Sequence, residues 1–161
     1  MSRISADEAG GPNVVAFLDA IACSELGPAM LRLSDDGYNV LVGSTPTKPL
    51  LFSSYATHPN VFNSAFRSTA AGRYQELFRN WVAYQPLLQL PDFGPLSQDR
   101  LALQQLKEAR AIVPIQQGRV TQAVMLCAHL WASLPGADYG QHEQELAQIV
   151  DWFRAAGGTL A

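Results

Sequence analysis

Cysteine is nearly absent: Cys23 and Cys127 are the two in 161 residues. Two are too few for a disulfide framework and lack metal-ligand spacing, and their apolar helical surroundings suit buried free thiols. Cys23 has no histidine near it in sequence, which discounts it as a nucleophile. His58, His129 and His142 are scattered and form no His-x-x-x-His pair, so neither a zinc site nor any other cofactor is expected. No apolar run approaches the roughly 20 residues of a membrane span, so no stable membrane insertion is expected. Met1-Ser2-Arg3-Ile4-Ser5-Ala6-Asp7-Glu8 lacks the basic-then-apolar pattern of a secretory leader, and a protein acting outside the cytoplasm would need another exit. A net charge of −3 excludes a general nucleic-acid binder. Repeats and low-complexity linkers are also missing. With 48% hydrophobic and 16% charged residues, the chain reads as a single globular domain over 1–161.

Acidic residues are missing from a long internal stretch. Residues 37–75 contain no Asp or Glu, and residues 37–90 carry Lys48, Arg67, Arg73 and Arg79 against Glu76 alone, a net charge of +3 that leaves −6 for the rest. A basic middle segment suits either an anionic polymer or a solvated surface.

Residues 1–12, with Gly10-Gly11-Pro12, read as a loose N-terminal lead-in. Asn13 can cap a first helix, which Gly27-Pro28 limits. Tyr38–Val42 and Leu50–Tyr55 are β-prone and flank the turn-rich Ser44-Thr45-Pro46-Thr47-Lys48-Pro49, which predicts a small β-hairpin subdomain over 37–60. From about residue 70 the chain reads as helical. Apolar stripes run through Tyr74–Val82, Leu101–Leu106, Val120–Trp131 and Leu146–Phe153, with a short helix or turn at 112–117 and a close at Gly157-Gly158.

The chemistry centres on Glu25. Phe17, Ile21 and Glu25 lie four residues apart, so a stripe that enters the core ends in a carboxylate. A carboxylate kept partly out of water holds its proton, as a general acid near neutral pH must. The alternative is a helix-end glutamate in a solvated salt bridge. Acid–base glycosidases use two carboxylates. Asp35 and Asp36 precede the hairpin, but Ser34-Asp35-Asp36-Gly37 is also an ordinary turn. One buried acid without a partner suits a reaction in which the substrate supplies its own nucleophile.

Several segments in order resemble the lambda-type phage endolysins. They are Phe17-Leu18-Asp19, Ser24-Glu25, Gly37-Tyr38-Asn39-Val40, His58-Pro59, Ser68-Thr69-Ala70-Ala71-Gly72-Arg73-Tyr74-Gln75, Ser97-Gln98-Asp99, Leu101-Ala102-Leu103-Gln104-Gln105 and Trp131-Ala132-Ser133-Leu134-Pro135-Gly136-Ala137-Asp138-Tyr139-Gly140-Gln141. The resemblance covers residues 14 to 159. It implies an α+β lysozyme-like fold, mostly helical, with the β subdomain flanking a cleft. It also implies lytic transglycosylase activity on peptidoglycan glycan strands, cutting between N-acetylmuramic acid and N-acetylglucosamine and leaving 1,6-anhydromuramic ends. A monomer held in the host cytoplasm, released through a holin to the periplasm and cell wall, follows from the same family.

Within that resemblance the catalytic glutamate falls on Glu25. Gln75 and Tyr74 would line the sugar cleft, although Tyr74 could equally begin a core stripe. Tyr55 and His58 would form part of the cleft wall, or His58 a packed residue before Pro59. Tyr139 would be a cleft tyrosine, or part of a structural turn beside Pro135-Gly136. Ser24, Tyr38, Asn39, Ser68 and Gln104 complete the implied substrate-binding set. Leu26 and Asn39 depart from the family's usual Gly and Asp, and Ala56-Thr57 replaces its Ser-Asp. These changes predict a more basic cleft. A hydrolysing muramidase and a non-catalytic wall-binding module are the competing expectations.

Overall fold

A computed structural model describes residues 1–137 and 144–161 of the chain. Its described elements are α1 (Ala6–Ala9), α2 (Pro12–Leu33), α3 (Phe78–Leu87), α4 (Pro95–Glu108), α5 (Ile112–Gln116), α6 (Val120–Cys127), a 3-10 turn (Ala128–Leu130) and α7 (Leu146–Ala155). The helix α2 is the axis of the fold and packs against α1, α4, α5 and α7. Val14, Phe17, Leu18 and Ile21 of α2 meet Leu106, Ile115, Val124, Ile149 and Phe153 in the main core. By length and a mean hydropathy of 1.6 it could cross a membrane, a property that no unbroken apolar run in the sequence signals. Its polar Asp19, however, is paired inside the protein with Arg73 at 2.8 Å.

Helix boundaries differ from the sequence reading for local reasons. Pro12 occupies the first turn of α2, where its missing N–H costs nothing. Asn13 does not cap the helix but ties the chain end to the helix start. Its Oδ1 accepts from Thr159 N–H, and its Nδ2 donates to the Thr159 and Gln116 carbonyls. Gly27 breaks the helix at φ 75°, a left-handed value that a residue with a Cβ rarely adopts, and the helix resumes through Pro28 to Leu33. Tyr74 belongs to a turn, and α3 starts only at Phe78. Residues 1–12, expected to be loose, contain α1 and are fastened. Arg3 and Ile4 N–H groups donate to Asp99 Oδ2 at 2.6 and 2.8 Å, and Ser2 bonds Asp19.

The expected β-hairpin subdomain over 37–60 does not form, so the α+β assignment is corrected to a helical fold among the described residues. The segment makes isolated antiparallel bridges, Val40 with Leu51, Leu41 with Ala71 and Thr45 with Lys48, and none extends into a strand. A ladder needs free N–H groups at alternate residues of each strand. Pro46 and Pro49 have none, and Gly43 is left-handed at φ 84°. The β-prone residues are used for packing instead: Phe52 joins Trp81, Phe93 and Leu101 in a second, smaller core.

A buried polar network joins these parts. Asp99 Oδ1 accepts from Tyr38 Oη at 2.8 Å and Tyr74 Oη at 2.6 Å. Arg73, fully buried, pairs with Asp19 at 2.8 Å and Asp36 at 2.9 Å and lies over the Tyr38 ring. Gly72 is required here: at φ 80° its missing Cβ leaves room for the Gln98 amide, which accepts from Arg73 N–H at 2.9 Å.

Candidate active site

A cleft of about 320 Å³ opens where the break in α2 faces residues 40–45, the 68–77 turn and the Trp131 loop. Glu25, two residues before that break, lines it together with Leu26, Ser68, Gln75, Glu76 and Trp131. Glu25 is half-buried and makes no salt bridge among the described residues. Its Oε1 accepts from Ser133 Oγ at 2.6 Å and from Ser133 N–H at 3.3 Å. Ser24 Oγ in turn lies 2.7 Å from Ser133 Oγ, so consecutive α2 residues grip one loop residue. The loop is itself anchored by Trp131, whose buried indole N–H donates to the Tyr74 carbonyl at 3.2 Å. Burial pushes the Glu25 carboxyl above its ordinary range, and the two Ser133 hydrogen bonds oppose but do not cancel that rise. The solvated salt-bridge alternative therefore does not describe this residue.

The expected site residues separate into groups. Glu25, Ser68, Tyr74 and Gln75 line the cleft, although the Tyr74 hydroxyl is spent on Asp99 and the Gln75 amide donates to the Gly72 carbonyl at 2.9 Å. Ser24 stands just behind Glu25. The others lie elsewhere. Tyr38 is buried in the Asp99 network, and Asn39 Oδ1 accepts from Asp35 N–H at 3.0 Å to close a turn. Tyr55 Oη donates to Asp35 Oδ2 at 2.7 Å, and Gln104 Nε2 to Glu108 Oε1 at 2.9 Å. His58 is buried with its ring 4.6 Å from that of Phe93 and its Nε2 2.9 Å from the Glu76 carbonyl oxygen, and burial lowers its pKa. Tyr139 lies outside the described residues.

Three residues at the cleft escaped the sequence reading. Ser133 sits within the longest matching segment, where nothing marked it from its neighbours. Glu76 follows Gln75 directly and entered only as a charge. Asn80, four residues on and in the first turn of α3, donates to Glu76 Oε1 at 2.7 Å. Nor is the cleft basic as expected: among the described residues no Lys or Arg lines it, because Arg73 turns inward to Asp19 and Asp36. No group of three or more His, Cys, Asp or Glu among the described residues could hold a metal ion.

The chain as a whole is similar to known proteins. The endolysin family model matches residues 15–160. The chain is 46% identical over 158 residues to the endolysin of Escherichia phage P2, covering 92% of this chain and 95% of that one. It is 44% identical over 149 residues to the endolysin of Escherichia phage lambda, covering 90% and 91%. Among solved structures it is similar to the bacteriophage lambda lysozyme, with a TM-score of 0.80 and 41% identity over the whole of both chains. It is similar also to that lysozyme complexed with a chitohexasaccharide, with a TM-score of 0.83 and 41% identity, again over both whole chains. With the family model spanning nearly the full length and two relatives well above 40% identity, the chain belongs to the endolysin family.

Proposed function

We propose that this endolysin cleaves the glycan strands of peptidoglycan as a lytic transglycosylase, with Glu25 as its acid and then its base. The observation that carries this reading is one carboxyl, raised by burial and fixed by Ser133, at the wall of an open cleft. A glycan substrate suits the cleft, since a structural neighbour is a lysozyme complexed with a chitohexasaccharide. Protonated Glu25 donates its proton to the glycosidic oxygen as the bond from that oxygen to the muramic C1 breaks. The resulting carboxylate takes the proton of the muramic C6 hydroxyl as that oxygen bonds to C1. The proton count closes on Glu25 and no water enters the product. The lytic role, with the protein kept in the host cytoplasm until a holin releases it to the cell wall as a monomer, belongs to the same proposal.

Glu76 gives a hydrolysing muramidase its specific claim, because it places a second carboxyl in the cleft one residue beyond the acid-free stretch. To that extent Glu25 is no longer a lone acid. Glu76, however, is 6% exposed and holds three donors, Asn80, Leu77 N–H and Gln105. A carboxylate so engaged is poorly placed to attack C1 or activate water, which favours the transglycosylase. Glu25→Gln tests the assignment. Turnover of purified sacculi should fall by about 100-fold or more while chitohexasaccharide binding persists. Undiminished turnover would refute the role of Glu25. A parent that binds but never degrades sacculi would instead identify a binding module.

A further inference from the structure

Ser24 and Glu25 are neighbours on α2, so their side chains leave the helix about 100° apart and do not face each other. One loop residue joins them instead. Ser24 Oγ lies 2.7 Å from Ser133 Oγ, and Ser133 Oγ lies 2.6 Å from Glu25 Oε1. Ser24 is 4% exposed, so its hydroxyl is not presented to a glycan strand. Among the described residues it makes no bond back to its own helix, the usual recourse of a helical serine, and both its contacts are to Ser133.

A hydroxyl has one proton to donate, so these contacts form a chain that runs one of two ways. Run forward, Ser24 donates to Ser133 Oγ and Ser133 donates to Glu25 Oε1. Run backward, a proton on Glu25 Oε1 points to Ser133 Oγ, and Ser133 donates to Ser24 Oγ. The Ser24 proton must then end on the Ser133 carbonyl oxygen, 3.4 Å away. That is beyond the roughly 3.0 Å reach of a good O–H···O bond, and the same carbonyl already accepts from Gln144 N–H at 2.8 Å. The forward chain needs only the two short bonds. Ser133 N–H also points at Glu25 Oε1, at 3.3 Å, which favours a lone pair on that oxygen over a proton. Hydroxyls in series polarise one another, so the Ser24 bond strengthens the one from Ser133. The two oxygens of Glu25 are thereby made unequal. Oε1 receives both donors, and Oε2, on a side chain that lines the cleft, receives none from the described residues.

We propose that Ser24 is a positioning residue for the catalytic proton: by donating to Ser133 Oγ it commits the Ser133 proton to Glu25 Oε1, and so places the carboxyl proton on Oε2, where the substrate can take it. This rests on Glu25 being the proton donor. Oε1 then serves as the carbonyl oxygen of the neutral carboxyl. After Oε2 has given its proton to the glycosidic oxygen, the same atom receives the proton of the C6 hydroxyl, so the acid and base steps share one oxygen. Ser24 acts through Ser133 and touches no sugar, in place of the substrate-binding role expected of it.

The test is a double-mutant cycle of the parent, Ser24→Ala, Ser133→Ala and the pair, with kcat and KM on purified sacculi measured below the alkaline limb and chitohexasaccharide binding measured alongside. Ser24→Ala should lower kcat about 3- to 10-fold, the factor that one neutral hydrogen bond supplies, with KM and the chitohexasaccharide Kd unchanged. Once Ser133→Ala has cut the chain, removing the Ser24 hydroxyl should have no further effect. Equal losses in both backgrounds would mean that Ser24 acts on the structure alone, and a raised KM or Kd with kcat intact would mean that it binds substrate. Either result, or a parental kcat in Ser24→Ala, overturns the proposal. A second measurement leaves Ser24 and Ser133 in place. Infrared difference spectra of the parent against Glu25→Gln at acid pH isolate the Glu25 C=O stretch, which should lie at the low frequency of a carbonyl that accepts two hydrogen bonds. A band at the position of a free or singly bonded carbonyl would overturn the proposal too. The activity of Glu25→Gln separates the two claims. If active, it removes the proton-donor reading and this inference with it; if it is inactive while the cycle is additive, this inference alone fails.

Discussion

Ser133→Ala is the sharpest probe of how Glu25 is tuned. The Ser133 hydroxyl donates to Glu25 Oε1 at 2.6 Å, and the backbone N–H bond to the same oxygen, at 3.3 Å, survives the substitution. A hydrogen bond to a charged group contributes about 1.5–3 kcal/mol, and one pH unit corresponds to about 1.4 kcal/mol. The longer backbone bond remains and Glu25 is only half-buried, so the lower end applies: about one pH unit. The sign follows from the acceptor. These bonds favour the carboxylate and hold its pKa down against burial, so their loss raises it further. The alkaline limb of kcat/KM should move about one unit to higher pH, because Glu25 keeps its catalytic proton longer. The assay is the clearing of sacculus suspensions from acid to alkaline pH with circular dichroism to check the fold. A limb that stays put, or moves to lower pH, would refute the claim that Ser133 stabilises the Glu25 carboxylate.

Two further predictions concern stability. Asp19→Ala strands a buried Arg73, which costs about 3–5 kcal/mol; because Asp36 still pairs with that guanidinium, the loss should be about 3 kcal/mol by urea unfolding, and under 1 kcal/mol would contradict the network. Glu76 should make stability pH-dependent. Its carboxyl rises from 4.5 to about 7 in the folded protein, so the unfolded chain ionises first and the stabilisation present below about 4.5 is lost as pH climbs through 7. Glu76→Gln should flatten that decline by about 3 kcal/mol in unfolding free energy between pH 4.5 and 7, and parallel curves would rule the shift out.

The helices were legible in the sequence where an apolar stripe had a unique partner face. The stripes at Leu101–Leu106 and Leu146–Phe153 fall on helices that bury them, and the Val120–Trp131 stripe does so only as far as Cys127, where α6 ends. The β-hairpin was not, because β-prone side chains at 38–42 and 50–55 report burial rather than pairing, and the prolines between them could have warned of that. Glu25 was legible because helical spacing placed an acid on an apolar face. Its partner Ser133 was not, since the bond spans 108 positions and a serine in a loop carries no periodic signal. Tyr38 and His58 lie in segments that carry the resemblance, Asn39 lies in one as a departure from its usual Asp, and Tyr55 lies just before one. Their side chains nonetheless hold turns and the second core together, which shows that a matching motif can mark scaffold as readily as cleft. Glu76 was visible from the start, one position past the acid-free stretch. Only folding reveals that the 72–76 turn carries it into the cleft.

If Glu25 works as acid and then base while the substrate supplies its own nucleophile, the products must carry that chemistry. Mass spectrometry of muropeptides released from purified sacculi reads it out. The parent should yield 1,6-anhydromuramic ends, lighter by one water than reducing ends, and Glu25→Gln essentially none. Reducing, hydrated ends from the parent would contradict this mechanism.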